Sequence, residues 1–236
     1  MLNPTIASIT LRAALGRRRA LLYAIPSLIL LGVSAILQLT SPADPSWPAS
    51  ILGTFGFSVV LPLTALIIGT SVLGAEVDDG SVIHLLATPV PRRVIVITKF
   101  AVATAITMVF AALPELLAGL IATGPRLALG LFAGAVMATV VYTALFVCLS
   151  TATSRALVAG LAYVVIWEGV AANVIGGARI LSISHYGLAV ASAIAPGHAL
   201  RPGLGLATAC ILGAIITALT LTAAVRRLGS FTLHGA

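Results

Sequence analysis

The polar stretch that organises this chain runs from Glu76 to Lys99 and reads Glu-Val-Asp-Asp-Gly-Ser-Val-Ile-His-Leu-Leu-Ala-Thr-Pro-Val-Pro-Arg-Arg-Val-Ile-Val-Ile-Thr-Lys. It holds three of the six acidic residues and the single lysine of a chain that is 60% hydrophobic and 8% charged. Long apolar runs flank it on both sides. Because charged groups are costly within lipid, we predict that residues 76–93 form a polar loop between two membrane spans.

The composition of the whole chain is that of an integral membrane protein. Soluble domains carry about 25% charged residues, whereas this chain carries 8% and has a mean hydropathy of +1.16. A helical span needs roughly 20 apolar residues, so 236 residues allow six spans with short loops. We predict an all-α, polytopic membrane protein with six transmembrane helices, in which residues 1–236 form a single transmembrane domain. The net charge of +7 does not indicate a nucleic-acid partner, because the arginines sit at the ends of apolar runs.

Six apolar runs supply the predicted spans. They are residues 20–39, 51–74, 94–121, 127–149, 156–175 and 204–225. Residues 1–19 precede the first span, and Asn3 followed by Pro4 predicts the start of an interfacial helix. Residues 176–204 contain an apolar piece that is too short and broken to span. We predict that this piece forms one or two short helices that lie at the outer interface or dip into it.

The distribution of positive charge predicts the orientation. With these spans, the residues Arg126, Arg179 and Arg201 fall on one side, and the other ten Lys and Arg residues fall on the side of both termini. Cytoplasmic loops carry an excess of Lys and Arg. We therefore predict a multi-pass protein of the cell membrane with both termini in the cytoplasm and residues 176–204 outside.

The sequence carries no signature of catalysis. A P-loop needs a lysine directly after its glycine-rich run, but Lys99 follows Thr98 and opens a span. The four histidines have no i, i+4 pair for a helical zinc site, and there is no Gly-x-Ser-x-Gly nucleophile elbow. We predict that the chain is not an enzyme and itself binds no metal or cofactor.

The polar stretch resembles the segment between the second and third spans of ABC-2 type transporter permeases. The residues that carry the resemblance are Glu76-x-Asp78-x-Gly80-Ser81, Leu85-Leu86-x-x-Pro89 and Arg92-x-x-Ile95-x-x-x-Lys99. The chain departs from the family pattern at Ala75 (usually Arg), Asp78 (Glu), Ser81 (Thr) and Pro91 (Ser). The six-span layout extends the resemblance over nearly all of the chain, which is similar to permeases of actinobacterial antibiotic and drug efflux systems.

The resemblance implies a coupling helix in this stretch, on which a cytoplasmic ATP-binding subunit acts. Gly80 and Ser81 favour the start of a short helix, and Pro89 favours its end, because a residue before proline avoids helical angles. Apolar side chains of such a helix can enter a groove of the partner. An ordinary solvated loop is the alternative. The predicted coupling residues are Glu76, Asp78, Asp79, Gly80, Ser81, Val82, Leu85, Leu86 and Pro89.

Five residues in the predicted spans are candidates for the translocation path or its gate. Glu168 lies 12 residues into the fifth span, past the middle of a hydrocarbon core of about 30 Å. An acid there has a functional role by default; the alternative is a structural hydrogen bond, with Arg179 or a nearby serine or threonine as partner. Glu115 is nearer the outer end of its span, where we expect it to be solvated or paired. The other candidates are Tyr142, Tyr163 and Trp167, for which core packing is the alternative role.

The function that the resemblance implies is that of the transmembrane subunit of an ABC exporter. The partner ATPase would bind ATP and Mg²⁺, and this chain would pair with a second copy or a related permease. The substrate would be an apolar drug, antibiotic or lipid. The residues leave two alternatives open: a proton-coupled secondary transporter that uses Glu168, and a membrane scaffold or immunity protein that transports nothing.

Overall fold

The fold was analysed in a computed structural model that describes residues 3–41, 47–78, 91–122, 124–174, 177–196, 200 and 202–230. For residues 17, 18, 74–78, 173, 229 and 230 it describes the backbone only. Within these ranges the secondary structure is helical and contains no strand. The predicted all-α class is therefore confirmed.

Eight helices follow one another along the described ranges, and three of them consist of consecutive segments. They are α1 (Pro4–Ala14), α2 (Arg17–Thr40), α3 (Ala49–Val60 and Leu61–Asp78), α4 (Arg92–Thr107, Met108–Ala112 and Leu113–Ala122), α5 (Pro125–Ala152), α6 (Ala156–Ala162, Tyr163–Ala171 and Ala172–Val174), α7 (Ile183–Ile194) and α8 (Leu206–Ser230). A short 3₁₀ turn, Ala178–Leu181, precedes α7.

Five of these helices, α2, α3, α4, α5 and α8, are long and apolar enough to cross a membrane. They correspond to five of the six predicted spans, which confirms a polytopic membrane protein. The remaining predicted span is α6, whose apolar part, Ala156–Ala171, is shorter than the other five. Helix α1 begins as predicted, because the Asn3 side chain accepts hydrogen bonds from the N–H groups of Thr5 and Ile6.

The second predicted span, residues 51–74, agrees with the apolar span Ala49–Leu73, but the helix α3 continues beyond it to Asp78. Glu76 and Asp78 are therefore helical residues and do not lie in the loop. The helix continues because Ala75 and Glu76 favour helix and the next glycine after Gly74 is Gly80.

Wide helical turns precede two prolines within the spans. The π-helical segments Ala49–Val60 and Met108–Ala112 end just before Pro62 and Pro114. A proline lacks an N–H group and its ring clashes with the carbonyl of residue i−4 in a regular α-helix. The wide turns let α3 and α4 continue past their prolines, and they also shift the helical phase of the residues that follow.

Helix α5 is the central helix of the bundle. It packs against α3, α4, α7 and α8. Gly130 and Gly134, whose four-residue spacing favours close helix packing, face α7. A Cβ atom on Gly130 would lie 2.8 Å from the Ala191 carbonyl oxygen, and one on Gly187 would lie 2.8 Å from the Gly134 carbonyl oxygen. The backbones of α5 and α7 are therefore in direct contact.

Helix α7 lies inside the bundle. Every residue from Ser182 to Ala189 is buried, and α7 packs against α5, α8 and the first segment of α3. It contacts the first half of α5, at the end of the bundle that the charge distribution predicts to be external. Of the two predicted arrangements, the described residues 177–196 therefore have the one in which a short helix dips into the bundle, and the outer side of the membrane stays a prediction.

We predict that Gly134→Ala destabilises the protein by about 1–3 kcal/mol, because an added methyl group must push two backbones apart in a packed core. Thermal unfolding in detergent, followed by circular dichroism, measures the change. Gly32→Ala on α2 is the matched control. A Cβ at that position meets nothing within 4 Å, so this variant should be neutral or slightly more stable. Equal effects of the two substitutions would contradict the close packing of α5 and α7.

Candidate functional site

The buried carboxylate of Glu168 lies where α6 meets the start of α7. Glu168 is on the wide middle segment of α6 and has no exposed surface. Tyr163, one turn earlier on the same helix, donates a hydrogen bond from its hydroxyl to Glu168 Oε1 over 3.1 Å. The Ile183 backbone N–H donates to the same oxygen over 2.8 Å.

The second carboxylate oxygen is bonded to two serines. The hydroxyls of Ser182 and Ser184 donate to Glu168 Oε2 over 2.5 and 2.8 Å, and the two hydroxyl oxygens are 2.9 Å apart. Each oxygen thus accepts two hydrogen bonds, which satisfies both acceptor oxygens of the buried side chain. A serine on a neighbouring helix is one of the partners expected from the sequence, and Ser184 lies on α7, with Ser182 directly before it.

This arrangement caps α7 from another helix. A serine that precedes a helix usually accepts a hydrogen bond from the helix's own first N–H groups. Ser182 occupies that position but makes no such bond, because its hydroxyl donates to Glu168. The carboxylate of α6 instead accepts from the first N–H of α7, where a negative charge also interacts favourably with the helix dipole.

Two aromatic side chains hold the turn before α7 next to the Glu168 carboxylate. Trp167 on α6 donates from Nε1 to the Leu181 carbonyl oxygen over 3.3 Å. Tyr186 on α7 donates from its hydroxyl to the Ile180 carbonyl oxygen over 2.7 Å. Both bonds hold the 3₁₀ turn that joins α6 to α7. The structure therefore gives Trp167 a positioning contact at this junction.

Three aromatic rings pack in a row near Glu168. The Phe146 ring lies between those of Tyr142, parallel at a centroid distance of 6.0 Å, and Tyr163, edge-on at 6.4 Å. The Tyr142 hydroxyl is next to Glu168 and Ser184, yet it completes no hydrogen bond with the residues that the structure describes. Four of the five candidate path residues, Glu168, Tyr163, Trp167 and Tyr142, are thus brought together.

Glu115 is not part of this cluster, and the expectation that it is solvated or paired is wrong. Its side chain is fully buried, and neither carboxyl oxygen has a hydrogen-bond partner in the described part of the chain. It packs against Gly56 of α3, where an added Cβ would lie 3.0 Å from Glu115 Cδ. The wide turn Met108–Ala112 precedes Glu115 and shifts its helical phase, which the sequence alone does not reveal.

The predicted coupling residues from Asp79 to Pro89 lie outside the described residues, and for Glu76 and Asp78 only the backbone is described. The helices on either side are described. Lys99 on α4 is buried, and its Nζ donates to the Val72 carbonyl oxygen of α3 over 2.9 Å. The sequence predicts that Lys99 opens a span, but it does not predict this bond. The signal in the sequence is a single lysine within an apolar run, which indicates that its charge needs a partner.

The long apolar helices define the class of the protein, a polytopic helical membrane protein. The chain belongs to the ABC-2 family of transporter proteins, whose family model matches residues 15–178. The matched region extends from the end of α1 to the turn before α7 and includes the predicted coupling stretch, residues 76–93. No individual curated protein matches the chain. By family, the protein is a membrane (permease) subunit of an ABC transporter.

We predict that Glu168→Gln destabilises the protein by about 3 kcal/mol, because an amide oxygen replaces two acceptor oxygens and leaves buried donors unpaired. Thermal unfolding in detergent measures the change. Limited proteolysis should also show that residues 177–196 become more accessible.

Glu115→Gln is the matched control for this prediction. It makes the same chemical change at a site with equal burial but without hydrogen-bond partners among the described residues, so its effect on stability should be smaller. If both variants lose the same stability, the assignment of Glu168 as the cap of α7 is wrong.

Proposed function

We propose that this protein is the permease subunit of an ABC exporter that moves an apolar drug, antibiotic or lipid out of the cell. A separate cytoplasmic subunit hydrolyses ATP with Mg²⁺ and acts on the coupling stretch, residues 76–93. Family membership carries this proposal, and the coupling motif, including Gly80 and Pro89, supports it. The direction of transport follows from the resemblance to drug and antibiotic efflux permeases.

The contacts next to the coupling stretch suit the transfer of force. The stretch connects the end of α3 to the start of α4. The bond from Lys99 to Val72 joins these two helices over 2.9 Å, six residues before the end of α3 at Asp78. A displacement of the coupling stretch would therefore move α3 and α4 together, not one against the other.

From α4 the contacts continue to the other end of the bundle. Thr104 of α4 and Thr143 of α5 share a hydrogen bond of 2.9 Å between their hydroxyl oxygens. Helix α5 touches α7 backbone to backbone at Gly134 and Gly187. The start of α7 is in turn bonded to Glu168 on α6. This sequence of direct contacts supports a mechanism in which motion of the coupling stretch changes the position of α7 at the proposed exit.

The surfaces of α2 and α8 suit a paired assembly in lipid. Within their most apolar windows only 22% of α2 and 17% of α8 is buried. Each therefore has a broad apolar face available for lipid or for the second permease chain. We include pairing, with a second copy or a related permease, in the proposed function.

The proton-coupled alternative depends on Glu168 exchanging protons with both sides of the membrane. The carboxylate is fully buried and accepts two hydrogen bonds at each oxygen. Release of these bonds would uncap α7 in every transport cycle. This geometry favours a positioning role for Glu168 over a role as proton carrier.

We predict that replacing Val82, Leu85 and Leu86 with Asp abolishes transport and substrate-stimulated ATPase activity of the complex. Three charges would prevent an apolar helix from entering the groove of its partner. Transport into inverted membrane vesicles and phosphate release measure the effect, and membrane fractionation checks that the chain is still inserted.

The control for this substitution keeps the side chains apolar and similar in size, as Val82→Ile, Leu85→Met and Leu86→Met. This variant should retain coupling. Normal coupling in the Asp variant, or purification of an active transporter without any ATPase subunit, would refute the proposal.

A further inference from the structure

A cavity opens between α2, α3 and the start of α6, remote from the Glu168 cluster. Its volume is about 480 Å³, and the turn 153–155 forms part of its rim. Both α2 and α6 begin at this end of the bundle, which the positive charges predict to be cytoplasmic. The cavity therefore lies at the depth of the headgroups and upper acyl chains of the inner leaflet.

The lining of the cavity changes from charged to apolar with depth. Arg19 and Arg155 lie at the beginnings of α2 and α6, and both line the cavity. Leu22 and Val158 also line it and come later on the same helices. Because both helices run inward from this end, the leucine and the valine lie deeper than the arginines. A charged mouth above apolar walls matches an amphiphile with an anionic group and a hydrocarbon chain.

The donors at the mouth are available for such an anion. The Arg155 guanidinium forms no hydrogen bond or ion pair with any residue that the structure describes; its backbone N–H donates to Thr153 Oγ1. Among the described residues, the Arg19 guanidinium donates one long bond, 3.4 Å, from Nη1 to the Ala13 carbonyl oxygen. Two guanidinium groups on opposite walls of one cavity would bind a phosphate better than a neutral headgroup.

The deeper walls are open to lipid from the side. The exposed fractions of Leu22, Leu157 and Val158 are 53%, 52% and 65%. The polar atoms deeper in the cavity are paired, because the hydroxyls of Tyr23 and Ser71 share a hydrogen bond of 3.1 Å across it. An acyl chain can therefore reach the cavity from the bilayer without displacing an unpaired polar group.

We propose that this cavity binds an anionic phospholipid of the inner leaflet. The phosphate lies between Arg19 and Arg155, and an acyl chain lies along Leu22, Leu157 and Val158. The bound lipid joins α2, which packs loosely on the bundle, to the start of α6. None of the described lining residues belongs to the coupling stretch, and the site does not depend on the direction of transport or on the transported substrate.

Photolabelling of the full-length chain in nanodiscs tests this site. The probes are phosphatidylglycerol and phosphatidylcholine, each with a diazirine on an acyl chain, present as a minor component in phosphatidylcholine. Intact mass measures the labelled fraction, and proteolysis locates the label. We expect phosphatidylglycerol to label peptides that contain Leu22, Leu157 or Val158 several-fold more than phosphatidylcholine.

Removal of the two charges should abolish this preference. In the variant Arg19→Gln/Arg155→Gln, phosphatidylglycerol labelling should fall several-fold, to the level of phosphatidylcholine, because a basic residue at an anionic membrane surface usually contributes about fivefold. Arg12→Gln is the matched control, because Arg12 is an exposed residue near the same end of the bundle that does not line the cavity. Labelling of this control should equal that of the wild-type chain.

A charge-retaining variant, Arg19→Lys/Arg155→Lys, separates binding from folding. It should keep the preference for phosphatidylglycerol, because lysine also binds phosphate as a point charge, and circular dichroism checks that both double variants are folded. Wild-type labelling in the Gln variant or equal labelling by the two lipids would overturn the proposal. Displacement of the label by millimolar glycerol phosphate would also overturn it, because the site would then bind soluble phosphate and not lipid.

Discussion

The capping of α7 by Glu168 is the interaction on which the inward-dipping segment depends. A helix that begins inside a membrane protein has N–H groups that neither water nor lipid can satisfy. Here the carboxylate of α6 accepts the Ile183 N–H and two serine hydroxyls at the start of α7. The same bonds satisfy the two buried oxygens of Glu168. The Glu168 side chain and the start of α7 therefore each supply the hydrogen-bond partners that the other needs inside the protein.

The central position of α5 connects this junction to the opposite end of the molecule. Its glycine face admits the α7 backbone, and Thr143 bonds to Thr104 on α4. At the other end of α4, buried Lys99 bonds to the α3 backbone. The helices that flank the predicted coupling stretch and helix α7 are therefore linked through α5. The linkage is relevant to the role of the family, because a permease subunit of an ABC transporter associates with an ATPase subunit.

Prediction from sequence succeeded where the bilayer itself sets the rule. Five spans were placed correctly because apolar length is a direct consequence of membrane thickness. It failed where the phase or the end of a helix mattered. Glu115 was expected to be solvated, but the wide turn before it directs it towards Gly56 in the interior. Glu76 was expected to lie in the loop, but it continues α3, which ends at Asp78.

The sequence by itself determined that this is a helical membrane protein, where its spans lie, and that Glu168 is exceptional, because these follow from the composition of local windows. Only the tertiary structure decided what Glu168 does. Its four donors come from Tyr163, one turn away, and from residues 182–184, which lie across a break in the helix. The same holds for Gly130 and Gly134, whose four-residue spacing permits close packing but does not identify α7 as the partner. Contacts between segments distant in the chain depend on how the helices are arranged, and no local window contains that information.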